Sequence, residues 1–85
     1  MKEFTYIITD PEGIHARPAG ELVKEAKNYA CSIKMAKGGK TGDCKKIFGV
    51  MGLVVKQGNE VTLTFDGEDE DAAFEGIKAF MEKNL

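Results

Sequence analysis

Phe4, Tyr6 and Ile8 alternate with Glu3, Thr5 and Ile7, the two-residue period of a half-buried strand. Asp10-Pro11-Glu12-Gly13 then reads as a turn. From residue 16 to about 28 the apolar positions Ala19, Leu22, Val23 and Ala26 recur at helical spacing, with Ala30 continuing the stripe. Ile33 and Met35 alternate with Ser32 and Lys34, and Gly38-Gly39 closes a hairpin onto a short strand over 40–43. A short helix, apolar on most sides, is predicted over 46–53. Val61, Leu63 and Phe65 face one way and Thr62 and Thr64 the other in the cleanest strand of the chain, 60–66, which Asp66-Gly67 ends. The last helix runs from about 69 to 83, with acids crowding its start, Lys78 and Lys83 toward its end, and Ala73, Ile77, Phe80 and Met81 as its buried stripe. The order is strand, helix, strand, strand, helix, strand, helix. Because every clear strand alternates, one sheet face is packed by helices and the other meets water, which predicts an antiparallel sheet in an α+β fold.

Size changes what this fold can do. Eighty-five residues, 42% hydrophobic and 31% charged with two prolines, make a single domain over 1–85. A domain this small buries only about 60% of its unfolded surface, so any chemistry sits on one or two surface residues and any large substrate is another macromolecule. The longest stretch without a charge, 47–55, is nine residues with two glycines, against the roughly 20 apolar residues of a membrane span. No transmembrane helix is expected. Met1-Lys2-Glu3-Phe4 leads directly into strand pattern without the features of a secretory signal, so a cytoplasmic location is expected. Cys31 and Cys44 lack CxxC spacing and have only His15 to join them. Neither a metal site nor a disulfide is predicted, and the two read as reduced thiols in or near the core.

The net charge of −2 conceals an asymmetry: residues 1–46 carry nine Lys/Arg against six Asp/Glu, and residues 47–85 three against eight. Between Lys24 and Lys46 stand seven lysines against Glu25 and Asp43. Such a patch suits an acidic protein partner. Without basic residues interleaved with aromatics, a nucleic-acid partner is not expected.

Gly13-Ile14-His15-Ala16-Arg17-Pro18 lies between the turn and the first helix. The apolar stripe begins at Ala19 and Pro18 is tolerated only in a first turn, so His15 falls at or just before the helix N-terminus. Free backbone N–H groups and the positive end of the helix dipole make that place an anion site, and Arg17 adds a guanidinium that can fork onto phosphate oxygens. A ring nitrogen nucleophile beside such groups is what reversible phosphorylation of histidine requires. At roughly 100° per residue, Arg17, Gly20, Lys24 and Lys27 share a sector of about 80°, so a basic stripe runs from His15 down the exposed flank of the helix. In the second helix Ile47, Met51 and Val54 share a face, which leaves Phe48 or Met51 and Gly52 poorly buried in so small a core. Rimmed by lysines such as Lys46, they make a weak, adaptable docking patch.

These residues carry a resemblance. The hexapeptide resembles the active-site signature G-[IL]-H-x-R-P of the HPr phosphocarriers of the bacterial phosphoenolpyruvate-dependent sugar phosphotransferase system. Lys45-Lys46-Ile47-Phe48-Gly49-Val50-Met51-Gly52-Leu53 is similar to the family's second characteristic segment, and the element order matches almost end to end. The resemblance implies an open-faced β-sandwich, four antiparallel strands covered on one face by three helices, βαββαβα. It implies that His15 accepts a phosphoryl group from phospho-enzyme I on Nδ1 and passes it to sugar-specific IIA proteins. Arg17 and the amides of Ala16 and Arg17 would hold the phosphate, and Gly20, Lys24, Lys27, Lys46, Ile47, Phe48, Met51 and Gly52 would dock the partners. The chain would be a monomeric phosphoryl-transfer intermediate in sugar uptake rather than a turnover enzyme, without cofactor or metal, with transcriptional regulators as further partners. Two alternatives stay open: a paralogue in a nitrogen-type regulatory phosphorelay, and a non-catalytic regulatory binding module of the same fold. Lys46 departs from the family's Gram-positive pattern, because it stands where a regulatory serine opens the second helix. Lysine cannot take that phosphate, so control by a serine kinase is not expected.

Overall fold

A computed structural model describes residues Met1–Leu85. The elements are β1 (Lys2–Ile7), α1 (Ala16–Ala26), β2 (Ser32–Lys37), β3 (Lys40–Asp43), α2 (Ile47–Met51), β4 (Glu60–Asp66) and α3 (Glu70–Asn84). The four strands form one sheet in the order β1-β4-β2-β3, each neighbouring pair antiparallel. Three helices cover one face, the βαββαβα open-faced sandwich that the family resemblance implies.

The alternation of β4 sets the register. Val61, Leu63 and Phe65 are fully buried, opposite Tyr6, Phe4 and Lys2 on one side. Leu63 and Phe65 lie opposite Met35 and Ile33 on the other, and those two are also fully buried. Thr62 and Thr64 turn to the open face. From above, α1 contributes Ala19, Leu22, Val23 and Ala26, and α3 contributes Ala73, Ile77 and Met81. At about 1.5–3 kcal/mol for each large apolar side chain removed from water, this single layer supplies the driving force of the fold. Phe74 adds an aromatic cluster at the β1 edge, its ring edge-on to Phe4 at 5.3 Å and to Phe65 at 5.8 Å.

Several details differ from the sequence pattern. Ala30 is exposed rather than part of the α1 stripe, because α1 ends at Ala26 and the chain turns away through Lys27 to Tyr29. The turn is tied down from afar: Asp69, the residue that precedes α3, accepts the amides of Ala30 at 2.7 Å and Cys31 at 2.8 Å. Those amides, Ala30 first, hold the Asp69 carboxyl below the usual aspartate range. Phe80 is only half-buried, since the core side of α3 passes through Ile77 and Met81. The second helix is one turn shorter than expected, with Lys46 preceding it and Gly52 following. Val54 lies outside it, exposed, so it shares no helical face with Ile47 and Met51. Both cysteines are free and in the core. Burial pushes the Cys44 thiol up to about 12, which leaves it unreactive at neutral pH.

Two glycines allow backbone contacts on which the site depends. Gly13 sits at φ 67 against the carbonyl of Val55, where a Cβ would collide with that oxygen. Gly42 packs β3 directly onto the backbone of Gly49 in α2, again with no room for a Cβ. Gly42→Ala therefore forces α2 off the sheet. It is expected to cost about 1–3 kcal/mol, the range of an overpacked core, read as a lower urea midpoint; an unchanged midpoint would show that α2 is free to shift.

Candidate functional site

His15 is the residue from which α1 starts. Its backbone is extended (φ −99°, ψ −176°) and its carbonyl accepts the amide of Ala19 at 3.0 Å, closing the first helical turn. Of the first four helical positions, Ala19 is thus satisfied and Pro18 has no N–H. The amides of Ala16 and Arg17 are left unused by the helix ladder and free to meet an anion. The His15 side chain makes no capping hydrogen bond and is 39% exposed. Its imidazole is therefore held by its backbone position while its ring edge faces solvent.

The loop that delivers His15 is pinned on both sides. Asp10 accepts the Glu12 amide through Oδ1 at 2.8 Å and the Gly13 amide through its carbonyl at 2.9 Å, while the buried Ile14 donates to the Val55 carbonyl at 3.0 Å. The far end of the chain joins this loop. Leu85 is buried, and its carbonyl accepts the amides of Thr9 and Asp10 and the Thr9 hydroxyl. An open depression of about 240 Å³ results, lined by Asp10, His15, Arg17, Pro18, Glu21 and Asn84.

The sequence pattern singles out His15, Ala16 and Arg17 here, and the fold brings all three to one helix end. The Arg17 guanidinium leans away, with Nε 3.3 Å from Glu21 Oε1. The Arg17 side chain is 85% exposed, so that pair is weak and the guanidinium is free to turn toward an anion at His15. Glu12, whose Oε2 lies 3.5 Å from His15 Nε2, and Asp10, Glu21 and Asn84 were not legible as site residues. Asp10 and Glu12 read as turn chemistry, Glu21 as a helix surface acid, and Asn84 arrives from a distant element with no local signal.

Gly20, Lys24 and Lys27 are exposed along the same flank of α1. Beside it, Phe48 is 86% exposed, Gly52 and Lys46 are exposed, and Ile47 and Met51 are half-buried. Val54 extends this apolar patch, 57% exposed and held at φ 50, a left-handed conformation in which a β-branched residue is strained. The Lys37 ammonium donates to its carbonyl at 2.7 Å and helps fix that geometry. No helix is long and apolar enough to cross a membrane.

Comparison with known proteins agrees with this geometry. The family model described as the PTS HPr component phosphorylation site matches residues 2–83. The phosphocarrier protein HPr of Lysinibacillus sphaericus is 46% identical over 81 residues, 95% of this chain and 92% of that protein. The phosphocarrier protein HPr of Mycoplasma genitalium is 42% identical over 99% of this chain and 97% of its own length. Among solved structures, a mycoplasma histidine-containing phosphocarrier protein superposes with a TM-score of 0.94 at 41% identity, covering 96% of this chain and 93% of its own.

The strain at Val54 has a measurable consequence. The left-handed penalty of about 1–2 kcal/mol exceeds the roughly 0.5–1 kcal/mol that glycine loses in backbone entropy. Val54→Gly is expected to stabilise the protein by about 0.5–1 kcal/mol in thermal unfolding, and a loss of stability would show that packing of Val54 outweighs its strain.

Proposed function

The chain belongs to the HPr family of phosphocarriers of the phosphotransferase system, and on that premise we propose that His15 carries the phosphoryl group between enzyme I and sugar-specific IIA proteins in sugar uptake. The observation that supports this most directly is the placement of a half-exposed imidazole at a helix N-terminus beside the two unused amides of Ala16 and Arg17. In the forward step the Nδ1 lone pair of His15 attacks the phosphorus of the donor's phosphohistidine. The donor P–N bond breaks and its electron pair returns to the donor ring. Charge on the transferring group is met by the Ala16 and Arg17 amides and by the Arg17 guanidinium once it leaves Glu21. A second transfer of the same kind empties the site, so the chain ends each cycle unchanged as a carrier.

Docking falls to the two patches flanking His15. The basic stripe of Arg17, Lys24 and Lys27, with Gly20 leaving open space between them, steers acidic partners. Phe48, Ile47, Met51 and Gly52, rimmed by Lys46, supply the apolar contact. Steering with a small apolar anchor gives fast, short-lived complexes. Lys46 offers no hydroxyl at the start of α2, so regulation by serine phosphorylation at that position is closed to this chain.

Incubation with phosphoenolpyruvate and enzyme I is expected to place an acid-labile, alkali-stable phosphoryl label on the chain, absent from His15→Ala; failure of the wild type to label would refute the carrier reading. Lys24→Glu combined with Lys27→Glu is expected to slow transfer from enzyme I several-fold at low salt and flatten its salt dependence. Stability should stay within about 0.5 kcal/mol of wild type. Identical kinetics across the salt range would leave these lysines as solvated surface.

A further inference from the structure

We infer that Glu12 is a positioning residue for the phosphoryl transfer: its carboxylate accepts a hydrogen bond from Nε2–H of His15, which selects the tautomer with its lone pair on Nδ1, and then balances the ring charge that phosphorylation creates. This rests on His15 being the phosphoryl carrier.

The geometry begins with the loop. The chain at and after Glu12 is tied down: its own amide is held by Asp10 Oδ1, Gly13 is wedged against the Val55 carbonyl, and Ile14 donates to that same carbonyl. The Glu12 backbone has little freedom. Its side chain, although 74% exposed, lies with Oε2 3.5 Å from His15 Nε2. That separation is slightly long for a hydrogen bond and within the range of an ion pair.

The other groups around the ring do not compete for this proton. Asp10, Arg17, Pro18, Glu21 and Asn84 line the adjoining depression. Neither Asp10 nor Glu21 lies within ion-pair distance of the ring, Asp10 Oδ1 accepts the Glu12 amide, and Asn84 donates its side-chain amide to the Phe80 carbonyl. His15 makes no cap to its own helix, so Nδ1 is not consumed there. Glu12 is the carboxylate in ion-pair range of the ring, and it faces Nε2. With the proton on Nε2, the other nitrogen is the nucleophile.

Charge bookkeeping gives the residue its second role. Neutral His15 enters the transfer with one proton, on Nε2. As Nδ1 bonds to phosphorus the proton stays, and the ring becomes a phosphoimidazolium with a positive charge. Glu12 stands on the Nε2 edge, and the phosphoryl group sits on the Nδ1 edge across the ring. The carboxylate is therefore nearer to the ring cation than it is to the phosphoryl oxygens, and it favours the phosphorylated state. A merely superficial acid would do the opposite, repelling the incoming phosphoryl group.

Two measurements on Glu12→Ala and Glu12→Gln decide this. Two-bond 1H–15N NMR correlations on the free, unphosphorylated chain, at a pH where the ring is neutral, report the tautomer. The wild type is expected to be almost wholly Nε2–H, and Glu12→Ala a mixture. At a fixed ratio of phosphoenolpyruvate to pyruvate with enzyme I, the equilibrium constant for accepting the phosphoryl group is expected to fall about threefold in Glu12→Gln, the range of an exposed ion pair. An unaltered tautomer in Glu12→Ala, or an equilibrium constant that holds or rises in Glu12→Gln, overturns the proposal. Absence of label on the wild type instead overturns the carrier reading, while the NMR measurement still tests the Glu12–His15 contact by itself.

Discussion

A sheet open to water on one face leaves an 85-residue chain a single surface to bury, and the rest of the structure depends on covering it. Val61, Leu63 and Phe65 of β4 and Ile33 and Met35 of β2 form the middle of that surface, all without exposure. Helix α1 buries Leu22 and Ala26 in the same core cluster, and that burial helps place its N-terminus at the edge where the loop after β1 arrives. His15 owes its position to burial several turns away. The site has no supporting shell of its own beyond the pinned loop, and it needs none, because the helix that carries it is locked by the core.

The elements were legible because their periods are clean. Alternation at Val61, Thr62, Leu63, Thr64 and Phe65 admits one strand and one buried face, and Gly38-Gly39 between Lys37 and Lys40 admits a two-residue hairpin. His15 and Arg17 were legible because Pro18 fixes the first turn. What escaped depends on partners distant in sequence. Ala30 continues an apolar stripe on paper, but its amide is claimed by Asp69, 39 residues on, and the helix stops first. Glu12 reads as a turn residue until the Val55 carbonyl fixes the loop and turns its carboxylate toward His15. Val54 reads as one more apolar residue of α2; its positive φ leaves no trace in a hydrophobic pattern.

The uneven charge of the two halves acquires a structural meaning. Acids at the start of α3 are largely occupied within the chain: Glu70 pairs with the amino group of Met1 at 3.2 Å, Asp71 with Lys2 at 3.1 Å, and Asp69 holds the amides of Ala30 and Cys31. Those contacts join α3 to β1 and to the entry of β2. The lysines of the α1 flank have no such claims on them. Lys24 and Lys27 take part in no ion pair of this structure and point to water. A chain of net charge −2 thus presents a basic surface beside His15, because three acids at the start of α3 are engaged within the chain while Lys24 and Lys27 are left unpaired.

Rigidity and exposure then work together. On the docking proposed above, a partner at Phe48 would meet a side chain already exposed and a backbone already fixed by Gly42 against Gly49, so little would be ordered on binding and little entropy lost. The same economy limits affinity, since one aromatic ring with half-buried Ile47 and Met51 offers a small apolar area. Long-range attraction of an acidic partner to the lysine flank would raise the encounter rate without lengthening the complex's life. On that proposal, fast arrival and fast departure would follow from one arrangement: charge that acts at a distance, next to a hydrophobic contact too small to hold.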